Sequence, residues 1–295
     1  MTATQTSSAT RPIVTHPRAK PRPRSKPQLT PWHALCATAV ATYVFIFAPI
    51  IVTAAVSFNA VNQSRFPPIG FSLRWWRAAF DPRWLQPLAF SIELAAASAV
   101  VATLLGLPLA FGLVRHRFPG RQLIATLSLG PLALPALVTG IAILQLLNLA
   151  GISALYGFPA LLIGHVVICL PFTVRTSAIS LQGMPPRVEQ AAFSLGASPI
   201  RVLLLVTLPL IKSGVFAGGV FAFIQSFTDY SVSLFLARPG TSPISVTILG
   251  FLDYGFAPTL AAVAVTTLIV PLILIGVVQH FFRIGDFIYG SGANG

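Results

Sequence analysis

Charge is scarce in this chain. Of its 295 residues, 8% are Asp, Glu, Lys or Arg, whereas soluble domains carry about 25%. So little polar surface does not cover a water-soluble globule, and a bilayer as solvent removes that difficulty. Lysine is rarer still: Lys20, Lys26 and Lys212. None follows a glycine in the spacing of a phosphate-binding P-loop, so the chain cannot cradle ATP in that way. The two cysteines, Cys36 and Cys169, sit in apolar runs without metal-type spacing and read as small apolar fillers. No nucleophile–base pair and no cluster of acids and histidines at one bilayer face appears, which argues against a membrane enzyme. Nor do the halves repeat each other visibly, which weighs against a secondary transporter built on inverted repeats. That second class, an ion-coupled carrier using Glu93 or Asp229, is the alternative to the reading below.

The chain is 55% hydrophobic, in runs long enough to cross a bilayer, which takes about 20 residues each. Six spans are expected, near Leu35–Phe58, Leu88–Val114, Leu123–Leu149, Phe158–Leu181, Ile211–Leu236 and Thr259–Phe282. Residues 122–174 contain no Asp, Glu, Lys or Arg, and the turn-forming stretch 148–159 divides them into the third and fourth spans. Pro49, Pro108, Pro131, Pro135, Pro171 and Pro271 punctuate the spans, as neighbouring helices or cavity water permit. The expected organisation is a disordered, basic cytoplasmic tail over 1–33, a transmembrane domain over 34–283 and a short tail over 284–295. The first tail is rich in Thr, Ser, Pro, Arg and Lys and lacks the apolar surface to offset its ordering entropy.

The net charge of +13 follows topology, not a nucleic-acid-binding face. With the N-terminus inside, fourteen basic residues fall on the inner side and Arg65, Arg74, Arg77, Arg83 and Arg238 on the outer. That asymmetry predicts both termini in the cytoplasm. The basic tail also suits contact with anionic membrane lipid. In the first outer loop, Trp75 and Trp76 suit a short interfacial helix over 71–80.

The inner segment 183–210 reads as two helices meeting at a bend. Pro185 and Pro186 open the first helix, Ala191 and Ala192 favour it and Gly196 closes it in the left-handed conformation. Ser198 caps the second helix with Pro199 in its first turn. Leu208 and Pro209 then stop that helix or re-aim the chain into the fifth span.

This segment resembles the EAA loop of ABC importer permeases: Gln190, Ala191, Ala192 and Gly196 fall at the motif's spacing, and Leu208–Pro209 closes it. It departs at the acid, where Gln190 stands and Glu189 precedes it by one position. Further pieces are similar to the spermidine/putrescine-type branch, among them 105–121, 131–142, 165–175 and 223–230, with Thr228 in place of one acid. The resemblance implies an all-α membrane protein of the type I ABC importer permease class, with six transmembrane helices in the bacterial inner membrane. It also implies a coupling loop, made here by Glu189, Gln190, Ala191, Ala192, Gly196, Ala197, Ser198, Leu208 and Pro209. That loop docks on a dimer of ABC ATPase subunits, which bind ATP and Mg, so no cofactor is expected in this chain. The resemblance further implies a second permease subunit (a paralogue or the same chain), an extracytoplasmic substrate-binding protein and a small solute as cargo: a polyamine or related organic amine by the branch, with phosphonate, ferric ion or thiamine carried by related permeases.

Intramembrane polar groups are costly and mark pathways. Glu93, Gln225, Ser226 and Asp229 are the candidates. His165 is expected to be a packed, hydrogen-bonded histidine and Asp253 a solvated loop acid.

Overall fold

The computed structural model describes residues 30–253 and 255–282. Residues 1–29 and 284–295 of the expected tails, and Arg283 with them, lie outside the described residues; residues 30–33, expected in the disordered tail, are instead the helical start of α1. The chain divides into two units, residues 1–48 and 49–295. The described part of the first is the beginning of α1 (Thr30–Val56), a helix without a charged residue. The second is a helical bundle: α2 (Arg74–Ala79), α3 (Pro82–Arg115), α4 (Arg121–Ala133), α5 (Ala136–Leu149), α6 (Phe158–Gly183), α7 (Pro186–Ser194), α8 (Pro199–Val202), α9 (Leu208–Thr228), α10 (Ser231–Leu236), α11 (Ile244–Leu252) and α12 (Pro258–Phe282).

At the centre α3, α6 and α9 pack along their lengths. Small residues let them approach: a side-chain carbon at Gly106 would collide with Thr173, and one at Gly218 with Thr176. With no water to exclude from between helices, close packing and interhelical hydrogen bonds hold such bundles together. Two such bonds lie here, Thr173 Oγ1 to the Ala102 carbonyl at 2.9 Å and Cys169 Sγ to the Ala222 carbonyl at 3.1 Å.

The packing fixes helix directions. Phe90 meets Phe158, Gly106 meets Thr173, and Arg115 reaches the Met184 carbonyl at 3.1 Å. Helices α3 and α6 are therefore parallel. Gly214 faces Ser180 and Ser226 bonds His165, so α9 runs antiparallel to both. Because α3 and α6 are parallel, the chain between them must return across the bundle once.

That return is α4 with α5. Each is about 20 Å long at 1.5 Å per residue, short of a bilayer core of about 30 Å. Together they make the crossing expected of the third span, as two helices bent by 108° at one of the prolines that punctuate it. The cause is local. Proline disfavours the helical region for the residue before it, and Leu134, preceding Pro135, has φ −94° and ψ 140°. Five helices are long and apolar enough to cross a membrane among the described residues, and the bent pair makes the sixth span.

The fifth span also differs from its expected limits. Its helical path begins at Pro199 and ends at Thr228, where Asp229 turns to an extended conformation before α10. The short helix expected over 71–80 forms as α2. Trp75 and Trp76 are half-buried and donate to the Asn59 carbonyl at 2.7 Å and to Ser57 Oγ at 3.2 Å. Their indole N–H groups serve the protein, pinning α2 to the end of α1. These residues mark one face of the bundle, and Arg115 and α7 mark the other.

Candidate functional site

Helices α7 and α8 form the corner that the sequence predicts. Pro185 sits at the N-cap of α7 with φ −60° and ψ 129°, and Pro186 occupies the first turn. At the other end Gly196 has φ +83°, a left-handed conformation that a Cβ disfavours by about 1–2 kcal/mol. Its N–H bonds the Phe193 carbonyl at 2.9 Å, and the Ala197 N–H reaches back to the Ala192 carbonyl at 3.2 Å. This pair of bonds is the Schellman arrangement, which satisfies carbonyls a helix end leaves open.

One expectation at the corner needs correction: Ser198 has N-cap backbone angles, but its hydroxyl makes no capping bond. Of the two outcomes expected at Leu208–Pro209, the helix does not stop there, and the chain enters the fifth span. The chain runs from α8 through a π-helical turn, Leu203–Thr207, directly into α9. Pro209 has no N–H to give the carbonyl four residues earlier. The wider turn absorbs this, with the Leu208 N–H bonding the Leu203 carbonyl.

Glu189 is the buried exception on α7; the rest of the helix is exposed or half-buried. Its carboxylate meets Arg115 at the end of α3, Nε to Oε2 at 2.8 Å, with the two side chains 12% and 9% exposed. Its second oxygen accepts from Thr207 Oγ1 in the π turn at 2.8 Å. Gln190, the residue at the motif's acid position, is exposed, as are Ala191 and Gly196, while Ala192 and Ala197 are half-buried. Val188, Phe193, Leu195 and Ile200 add an apolar surface, with Leu195 89% exposed. A cavity of about 530 Å³ separates the corner from α3, lined by Phe111, Arg115, His116, Glu189, Phe193 and Thr207 among others.

Ser226 and Asp229 are buried and come together around His165. The imidazole Nδ1 lies 2.7 Å from Ser226 Oγ and Nε2 lies 2.9 Å from Ser233 Oγ, the packed, hydrogen-bonded histidine expected. Asp229 caps α10: its Oδ2 accepts from the N–H groups of Val232 and Ser233, each at 3.1 Å. His165 Nε2 stands 3.7 Å away. Gln225 is half-buried. Glu93 is exposed on α3 and has no hydrogen-bond or ion-pair partner among the described residues. Asp253 is exposed, as expected of a loop acid.

Sequence reasoning missed the Arg115–Glu189–Thr207 cluster. One signal was available: Glu189 is the one acid of the inner segment 183–210, and Arg115 closes the second span on the same side of the membrane. The His165–Ser226–Ser233 contacts left no comparable trace, because single polar residues in apolar runs carry no spacing rule.

Residues 102–283 match the family described as "Binding-protein-dependent transport system inner membrane component". The chain is 34% identical over 257 residues to the spermidine/putrescine transport system permease protein PotC of Shigella flexneri, covering 86% of this chain and 95% of that one. It is 28% identical over 232 residues to the putrescine transport system permease protein PotI of Escherichia coli (strain K12), covering 75% and 81%. Among solved structures, it superposes on a chain of a bacterial ABC transporter involved in the import of the acidic polysaccharide alginate. The TM-score is 0.68 at 20% identity, over 88% of this chain and 100% of that one; at that identity the likeness is one of fold.

Proposed function

Because this chain belongs to the family of binding-protein-dependent transport system inner membrane components, and is a multi-pass permease of the bacterial inner membrane, we propose that it forms the translocation pathway of an ATP-driven importer for a polyamine or related organic amine. The observation that carries the energy source is the α7–α8 corner. It displays Val188, Phe193, Leu195 and Ile200 outside the bundle, and exposed apolar patches mark interaction sites. Beside them lie Gln190, Ala191 and Gly196, small or neutral groups that admit a close-fitting partner. That partner is a dimer of ABC ATPase subunits, which holds ATP and Mg. A second permease subunit and an extracytoplasmic binding protein complete the assembly, and lipid surrounds it.

The cargo reading rests on the PotC and PotI likeness and on charge. Glu93 is an exposed carboxylate within an apolar helix, and intramembrane acids line cation paths. An ammonium group of a diamine complements it. Gln225, Ser226 and Asp229 are proposed to line the same route, Ser226 and Asp229 by fixing the α9–α10 break that shapes its wall.

The test is purification of the tagged chain from native membranes in mild detergent, followed by reconstitution with its companions. Copurification of a nucleotide-binding subunit and ATP-dependent uptake of labelled putrescine are expected. Clean isolation without an ATPase, where a known ABC complex survives the same detergent, contradicts the proposal.

A further inference from the structure

A docking corner moves the spans only if it is fastened to them. The backbone ties α7 to α6 through Met184 and Pro185, and α8 to α9 through the π turn. Helix α3, which packs against both α6 and α9, has no such covalent tie to the corner.

Arg115 supplies one. Its Nε pairs with Glu189 Oε2 at 2.8 Å and its Nη2 donates to the Met184 carbonyl at 3.1 Å. Glu189 uses its other oxygen for Thr207 at 2.8 Å. Four elements therefore meet at one buried cluster: the end of α3, the end of α6, the middle of α7 and the π turn that leads into α9. Burial leaves the pair little screened by salt or water. Opening it leaves an uncompensated buried charge, a state far costlier than that of an exposed pair.

We infer that Arg115, Glu189 and Thr207 are positioning residues that carry a displacement of the α7–α8 corner to α3 and α9 together. This rests on the importer reading and deepens it. In this chain the coupling-helix acid is turned inward to the protein's own arginine, and the partner meets the neutral Gln190. The Glu189 carboxylate thus serves transmission, and the apolar groups around Leu195, with the exposed Arg187 and Gln190 beside them, serve docking.

The experiment uses the complete complex, with its ATPase, second permease and binding protein, in proteoliposomes. The readout is the ratio of binding-protein-stimulated to basal ATP hydrolysis, which requires both ends of the permease to communicate. Glu189→Gln and Arg115→Gln are each expected to lower this ratio by about fivefold or more while the ATPase still copurifies. The double variant is expected to be no worse than the worse single, because the two act as one unit. A wild-type ratio in either single variant, or losses that multiply in the double, overturns the inference. Should the charged-site variants fail to assemble, Thr207→Val keeps the ion pair and removes one bond. A drop of about twofold or more is expected there, and an unchanged ratio overturns the inference. Absence of stimulation in the unmodified complex is a separate failure: it overturns the importer reading itself.

Discussion

Glu189 and Asp229 are both buried acids at breaks in the helical bundle, and they are neutralised in opposite ways. Glu189 pairs with a cation from a distant helix and joins elements that the sequence keeps far apart. Asp229 is satisfied by N–H and O–H donors three and four residues ahead, so its network is chiefly local. The first arrangement ties four elements together; the second caps one short helix. Glu93 is a third case, an acid within the apolar length of α3 without a partner from its own chain among the described residues. An acid's role in this bundle follows from what neutralises it, not from how deep it lies.

Breaking the Glu189 side gives the largest expected effect. Arg115→Ala leaves a buried carboxylate alone, a change of about 3–5 kcal/mol in comparable buried pairs, and is expected to abolish uptake and lower thermal stability in detergent. Arg115→Lys, which keeps the charge but not the forked donors, sharpens the comparison if it restores stability in part. On the other side, Asp229→Ala removes the cap of α10 and is expected to cost about 1–2 kcal/mol. Asp229→Asn, which keeps an acceptor, is expected to recover most of that. A larger loss for Asp229→Ala than for Arg115→Ala, by thermal melting of the purified chain, erases the distinction drawn between them.

Smaller effects belong to the corner. Gly196→Ala is expected to cost about 1 kcal/mol through its left-handed backbone, since nothing lies within 4 Å of an added carbon. Gly196→Asp adds bulk and charge on the docking face, and is expected to stop uptake while the protein stays in the membrane. Ser198→Ala is expected to be close to neutral, because the hydroxyl makes no capping bond. Melting curves and uptake assays on the same preparations check all three.

Much of this architecture was legible in the residues. Apolar runs placed the spans, and Pro185, Pro186 and Gly196 placed the corner, because prolines and a left-handed glycine act locally. The sequence left open how each proline would act. At Leu134 the residue before proline turned extended and bent the span, and at Pro209 a π turn carried the helix on into the fifth span. The Trp75 and Trp76 bonds to the end of α1 were not readable, because their partners lie in another element. The same holds for Glu189, whose partner lies in another helix.

The docking of the α7–α8 corner on a nucleotide-binding subunit is tested by site-specific crosslinking in native membranes from Leu195→Cys, the most exposed large apolar side chain of the corner, with a short thiol-reactive photoprobe. A crosslink to the ATPase subunit that changes in yield when ATP is added is expected. A probe that reacts with lipid or other proteins while the ATPase remains bound elsewhere in the complex contradicts it.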